Sequence, residues 1–290
     1  MSTAAWLPPE RTAMPPPRIS AAAFCAAFVR VLAKVIAKVP ATALAAVLGC
    51  GALSPATAAP LLLRTAAQDN NTLKYEVGAR RKGICVEVIK AVEQVAPGLR
   101  FTGWTQPMSL PRIESALAEG QLDVFCALIR TGAREAKFGY IDVPVYTVRH
   151  KIAVRADDKV AVKTLDDIRK LGPDSVIIVS RGSAYASQLA GEPGLRLDAS
   201  SSDPEVNLRK LMNRRGRFFY HAEGALRRTI ADEHLTGMVK LLPAVFKEEP
   251  LYFAVSRTLA PATAAQLRHA LQTLAEQGEL QRIYASYKDD

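Results

Sequence analysis

A chain of 290 residues, 49% hydrophobic and 23% charged, has the make-up of an ordinary globular protein with room for one large or two modest domains. Its net charge of +10 does not mark a nucleic-acid binder. Part of the excess lies before Ala59 (Arg11, Arg18, Arg30, Lys34 and Lys38 against Glu10). The remaining basic runs, Arg80-Arg81-Lys82, Arg214-Arg215 and Arg227-Arg228, lack aromatic interleaving or a groove-reading motif. A basic surface can still steer anionic solutes toward a site.

Residues 1–58 do not read as part of a fold. Pro8-Pro9 and Pro15-Pro16-Pro17 break the start, and Met14 is an alternative initiation site. Lys34 and Lys38 then precede an apolar run from Val39 to Leu53, followed by Ser54-Pro55 and Ala56-Thr57-Ala58. A positive flank, short apolar core, helix breaker and A-x-A pattern predict a secretory signal peptide cleaved before Ala59. About 15 apolar residues are short for a membrane span. A rival reading is Val47-Leu48-Gly49-Cys50, a loose lipoprotein box that would leave a lipid-anchored Cys50. Both readings imply export, and the expected location is the periplasm.

Leu61 to Ala66 reads as a first strand, and the polar loop Gln68-Asp69-Asn70-Asn71 lies at its C-terminal edge, where a site would be expected. Gly83 opens a helix with an apolar stripe of Val88, Ile89, Val92 and Val95, stopped by Pro97-Gly98. A second strand runs from Leu99 to Trp104, whose ring either walls a cleft or sits in the core. The next helix carries Ile113, Ala116 and Leu117 on one face and ends at Gly120, since glycine takes a left-handed cap without strain. Val124 to Ile129 is a continuous apolar run, the pattern of a strand covered on both faces. Strand, helix, strand, helix, strand predicts a parallel α/β arrangement. Arg130, Thr131 and Arg134 follow at the strand's end. Ligands of open α/β sheets sit beyond such strand ends, and arginine can grip a carboxylate with two parallel hydrogen bonds.

Thr147 to Val154 alternates apolar and polar residues and reads as a crossover into a second lobe. Thr164-Leu165-Asp166-Asp167 is a capping box opening a short helix. Ser175 to Val179 is a buried strand that delivers Ser180-Arg181-Gly182-Ser183 into a helix from Ala184 to Leu189. Backbone N–H groups at that helix start, with the Ser183 hydroxyl, would suit an anion; an ordinary Ser N-cap explains the same residue. Asp203-Pro204 caps a helix carrying Leu208, Leu211 and Met212. Met238 to Leu242 is another strand, Leu251 to Ser256 brings the chain back, and a closing helix runs from Ala264 to Gln277 ahead of Gly278, Leu280, Ile283, Tyr284 and Tyr287.

The order Gly120-Gln121-Leu122-Asp123, Thr131-Gly132-Ala133-Arg134, Phe138, Pro144-Val145-Tyr146 resembles the periplasmic solute-binding proteins of polar amino-acid ABC transporters (bacterial extracellular solute-binding proteins, family 3). Their pattern is Gly-x-x-Asp, a strand, Thr-x-x-Arg, Phe, then Pro-x-Tyr. The similarity extends through Gly182-Ser183 to the closing helices, from about Leu61 to Tyr287. It implies a type II periplasmic binding fold of two α/β lobes, residues 60–146 plus 252–290 and residues 147–251, joined by two strands and closing on a small solute. It further implies a carboxylate-bearing solute, a membrane permease of an ABC transporter as partner, a monomer, and no cofactor or metal. The implied ligand contacts are Arg134, Thr131, Gly182 and Ser183, with Trp104 as a wall. Glu223 stands as partner for a ligand ammonium. There the sequence departs from the pattern: Gly216-Arg217-Phe218-Phe219 has Phe219 where the relatives carry an aspartate, which weakens the case for amino-group recognition.

Past Ala59 the cysteines are Cys85 and Cys126. An even pair in an oxidising compartment invites a disulfide, and two buried thiols are the alternative; spacing alone does not place their Cα atoms. No G-x-S-x-G, H-E-x-x-H, C-x-x-C or phosphate-loop motif is present. His150, His221, His234 and His269 lack metal-ligand spacing and read as surface or satisfied residues. Two alternatives to solute capture share the fold: a periplasmic enzyme resembling cyclohexadienyl dehydratase, with Glu223 near the carboxylate clamp, and an adaptor for a periplasmic dehydrogenase.

Overall fold

The computed structural model describes residues 59–76 and 82–287. The expected leader, with Cys50 and the Ala56-Thr57-Ala58 site, lies outside the described residues. Ala58–Asp290 form one compact unit.

Strand β1 (Leu61–Arg64) pairs in parallel with β3 (Leu99–Thr102), and the short β2 (Ala67–Gln68) pairs in parallel with β4 (Pro107–Met108). Between them, α1 (Ile84–Val95) buries Val88, Ile89 and Val92 of its predicted stripe, while Val95, in its last turn, is exposed. Helix α2 (Leu110–Ala118) buries Ile113, Ala116 and Leu117 and runs into Gly120, which takes the left-handed φ of 71° expected of a stop. Asp123, which follows, receives the Arg64 backbone N–H at 2.8 Å and a two-pronged grip from its guanidinium at 2.9 and 2.7 Å. Burial pushes the Asp123 carboxyl up, and the Arg64 hydrogen bonds overcome that and hold it below the usual carboxylate range. The Gly-x-x-Asp signature therefore ties β1 to the start of β5.

β5 (Val124–Ile129) is buried at every position. The sequence predicts that it continues the parallel β1–β3 pairing, and here the structure differs. β5 pairs antiparallel with β11 (Lys247–Val255), which returns late in the chain and takes its edge. After the one-turn α3 (Gly132–Glu135), β6 (Gly139–Arg155) runs for 17 residues, twice the expected strand, because its buried alternation persists through Pro144. The large sheet has the order β5-β11-β6-β9-β7-β8, with β10 (Val239–Leu241) also on β6. β9 (Phe218–Ala222) lies antiparallel to β6 and parallel to β7 (Ile177–Ile178), which pairs in parallel with β8 (Leu197–Asp198). Helices α4 (Leu165–Lys170), α5 (Ala184–Ala190), α6 (Pro204–Met212) and α7 (Glu223–Asp232) belong to the middle of the chain, and α8 (Pro261–Glu276) and α9 (Glu279–Ala285) close it. Thr164 forms the predicted capping box with Asp167, and Asp203 caps α6 by accepting from Glu205 and Val206.

The principal core draws on α1, β5, β6 and α8. A separate cluster, built from Ala153, Ile178, Leu208, Leu211, Phe219, Leu226, Ile230 and Val239, lies entirely within residues 147–251. Phe219, at the position where the aspartate is missing, is fully buried in that cluster. Cys85 of α1 and Cys126 of β5 are joined by a disulfide, with their Cα atoms 5.8 Å apart.

Candidate functional site

A cavity of about 110 Å³, several times the roughly 10–15 Å³ that one water needs, forms where the outer stretches of the chain, residues 60–146 and 252–290, meet the middle stretch, residues 147–251. From the outer stretches it takes the Gln68–Asn71 loop, Lys74, the start of α2 at Ser109–Pro111, the end of β5 and Arg134. From the middle stretch come His150, Ser180, Arg181, Ser183, Ala184, Tyr185, His221 and Ala222. The predicted Arg134 and Ser183 thus line one cavity although 49 positions apart in the chain.

Arg134 is buried at 5% exposure. Thr131 caps α3 and accepts from the Arg134 backbone N–H at 3.3 Å, so it sets where the arginine stands and is not itself part of the lining. The guanidinium spends three N–H groups on the protein: Nε and Nη2 on Glu114 Oε1 at 3.1 and 2.7 Å, and Nη1 on the Ile129 carbonyl at 2.8 Å. Arginine carries five such donors in a fixed fork, so two remain for a ligand. The neighbouring Arg130 points elsewhere: it stacks on Tyr252 and Tyr140 at 4.4 and 5.2 Å and pairs with Asp142 at 3.1 Å.

Ser183 is the N-cap of α5. Its hydroxyl accepts from Ala186 N–H at 3.1 Å and donates to the Ser180 carbonyl at 2.7 Å. With its proton committed, it has no donor to spare, whereas the first-turn amides of Ala184 and Tyr185 have no carbonyl four residues back inside the helix. Gly182 has φ +76°, and a Cβ there would meet Pro111 Cγ at 3.2 Å. Glycine is needed at this point for both reasons, since it lets the loop approach the start of α2.

Glu223 and Trp104 fall outside the lining. Trp104 packs, partly buried, against the principal core. Glu223 is already met by Arg149 at 2.8 Å, Arg227 at 2.9 Å and Lys151 at 3.4 Å. Burial raises its carboxyl, and the hydrogen bond from Arg227 with the charges of Lys151 and Arg149 more than offsets this.

Among the lining residues that escaped the sequence reading are His150, His221 and Lys74. Of the two readings open to them, surface or satisfied, His150 and His221 follow the second: both are buried with hydrogen-bond partners. His150 pairs through Nδ1 with the Tyr220 hydroxyl at 3.2 Å, and its Nε2 lies 3.6 Å from Glu249; burial pushes it down to about 4. Burial, followed by the charge of His150, pushes His221 down to about 3. Its Nδ1 accepts the Ala222 N–H at 2.8 Å, so the neutral ring carries its proton on Nε2. The signal was available for His150, which continues the inward alternation of Tyr146 and Val148. Lys74 is buried and donates to the Ala127 carbonyl at 2.6 Å. No local pattern pointed to it.

The profile of the bacterial extracellular solute-binding proteins, family 3, matches residues 65–290. No curated protein sequence matches the chain. Among solved structures, an ancestral arginine-binding protein bound to glutamine superposes with a TM-score of 0.65 at 18% identity, over 79% of this chain and 98% of that one. The ancestral amino acid-binding protein AncCDT-1, a precursor of cyclohexadienyl dehydratase, gives 0.64 at 19% identity over 78% and 95%. The GluR0 ligand-binding core from Nostoc punctiforme, in complex with L-glutamate, gives 0.61 at 20% over 80% and 100%. At such identities the likeness is one of fold, the mixed α/β architecture of type II periplasmic binding proteins. With its profile matched from Thr65 to Asp290, the chain belongs to family 3 of the bacterial extracellular solute-binding proteins.

Proposed function

We propose that the protein captures a small carboxylate-bearing solute in the periplasm and delivers it, as a monomer, to the membrane permease of an ABC transporter. The observation that carries this reading is Arg134: a buried, permanently charged fork with two donors to spare on the wall of a cavity. Residues 60–146 with 252–290 form one lobe and residues 147–251 the other, and the carboxylate lies between Arg134 and the α5 amides. A ligand that touches both lobes favours the closed state over the open one by its differential affinity.

Capture is favoured over a dehydratase role because Glu223, the carboxylate an acid–base step would want, is engaged by three cations away from the cavity lining. A thermal-shift screen of the mature protein against amino acids, dicarboxylates and aromatic acids finds the ligand class, since binding stabilises the native state by mass action. Calorimetric titration of a hit then tests the site. Arg134→Ala removes charge-assisted bonds contributing about 1.5–3 kcal/mol each, so affinity should fall by at least about tenfold. Arg134→Lys should fail too, because a point charge cannot reproduce the fork. Arg130→Ala should bind like wild type. Folded Arg134→Ala that binds undiminished would show the site to be wrong, and consumption of the hit with a new product would establish the enzyme.

A further inference from the structure

We propose that Lys74 is a second anion anchor in the same cavity and that the preferred solute therefore carries two carboxylates. The inference rests on the reading of Arg134 as the first anchor. Lys74 is 9% exposed, and its ammonium donates to two neutral oxygens, the Ala127 carbonyl at 2.6 Å and Gln68 Oε1 at 3.3 Å. An ammonium has three donors, so one remains. Among the described residues Lys74 has no carboxylate within ion-pair distance, in contrast to Arg134, whose charge Glu114 offsets. A buried cation without a counter-ion is costly, and proteins keep such groups where something else completes them.

The backbone around Lys74 is shaped to hold it. Opposite Phe253, β5 carries an extra residue: Tyr252 faces Leu128 and Ala254 faces Phe125, leaving Cys126 and Ala127 against one partner. Ala127 sits in this bulge at φ +59°, a strained conformation for a residue with a Cβ. Its carbonyl accepts Lys74 in the middle of an otherwise fully buried apolar strand. Strained, bulged backbone of this kind concentrates at functional sites.

The charges around the ammonium fit the same role. Burial first, and then the Arg134 charge, push Lys74 down to about 7. His221, from β9, is held neutral, and Lys74 contributes to that. The Asp69 carboxyl on the facing loop is raised by burial and by Asp203. In the empty site burial and the Arg134 charge thus disfavour the charged form of Lys74, and a ligand anion beside it would favour that form. A dicarboxylate would also draw a proton onto Lys74 wherever the free lysine is neutral.

The test compares pairs differing only in the second carboxylate: glutarate with its mono-amide, succinate with its mono-amide, and L-glutamate with L-glutamine. Each is titrated calorimetrically at pH 8 in HEPES and in Tris, whose different ionisation enthalpies report proton uptake. We expect the acid of at least one pair to bind at least about tenfold tighter than its amide, with uptake approaching one proton at pH 8 and vanishing by pH 6. Lys74→Met should erase both the preference and the uptake. The wild-type comparison stands even if that variant does not fold. Acid and amide binding equally, both lost in Arg134→Ala, would overturn the Lys74 anchor and leave the Arg134 reading intact. Failure of every carboxylate to bind would overturn both.

Discussion

At the scale of single residues, the two cavity histidines make the protein sensitive to mild acid. Both are buried and neutral, with values pushed down to about 4 for His150 and about 3 for His221, while in the unfolded chain each titrates near 6.5. Glu249 works against the shift at His150, and Lys247 and Lys74 work with the two shifts. Between pH 6.5 and about 4 the unfolded chain therefore binds more protons than the native state. Stability should be complete above pH 6.5 and decline as pH falls toward 4, by up to about 1.4 kcal/mol per pH unit for each histidine. Urea denaturation at pH 7.5, 6 and 5 measures the slope, and His221→Gln should flatten it. A midpoint independent of pH over that range would mean the rings are not neutral in the fold. Residues such as Arg134 were legible in the sequence because a motif surrounds them. Lys74 was not, since its partner is a backbone carbonyl freed by a bulge 53 residues away, and no window of sequence contains both.

Elements were easier to read than sites, because their causes are local. The stripe of α2, the stop at Gly120 and the caps at Thr164 and Asp203 each depend on a few neighbouring residues and appear as the sequence predicts, and the stripe of α1 does so except for Val95, which is exposed in the last turn. Pairing was less legible: β5 looks like the third member of a parallel set, but its partner β11 arrives more than a hundred residues later. The Cys85–Cys126 link is similar, for α1 must cross β5 before two buried thiols become a bond. That bond closes a loop of 41 residues and constrains the unfolded chain, a contribution of about 2–4 kcal/mol. Replacing both cysteines by alanine should lower the melting temperature by roughly 5–15 °C for a domain of this size. Ligand binding should persist, because neither sulfur lines the cavity. Melting unchanged by the double replacement, or by reductant, would show that the bond does not form in the exported protein.

For the whole molecule, closure of the proposed lobes around a ligand requires a place to bend. Among the described residues, only β6 and β11 carry the large sheet across from residues 60–146 and 252–290 to residues 147–251, with Thr147 opposite Pro250 and Tyr146 opposite Leu251. At this crossing the ladder is weakened in two ways. Pro144 and Pro250 each lack a backbone donor, and Val145 is skipped in the register between Tyr146 and Pro144. A central pair of strands rarely tolerates both defects unless they serve a purpose. We take the crossing as the hinge, since a few residues that absorb backbone rotation suffice for lobe closure around a ligand. Amides at Val145, Tyr146, Thr147 and Leu251 should therefore exchange faster in the free protein than those of β5, and slow when a ligand bridges Arg134 and α5. Hydrogen exchange with and without the screened solute reads this directly, and small-angle scattering should show a smaller radius of gyration on binding, near the ~17 Å expected of a compact body of this size. Uniform protection along β6 in both states, with no change in dimensions, would rule out hinge closure here and leave a rigid pocket that fills by local loop opening.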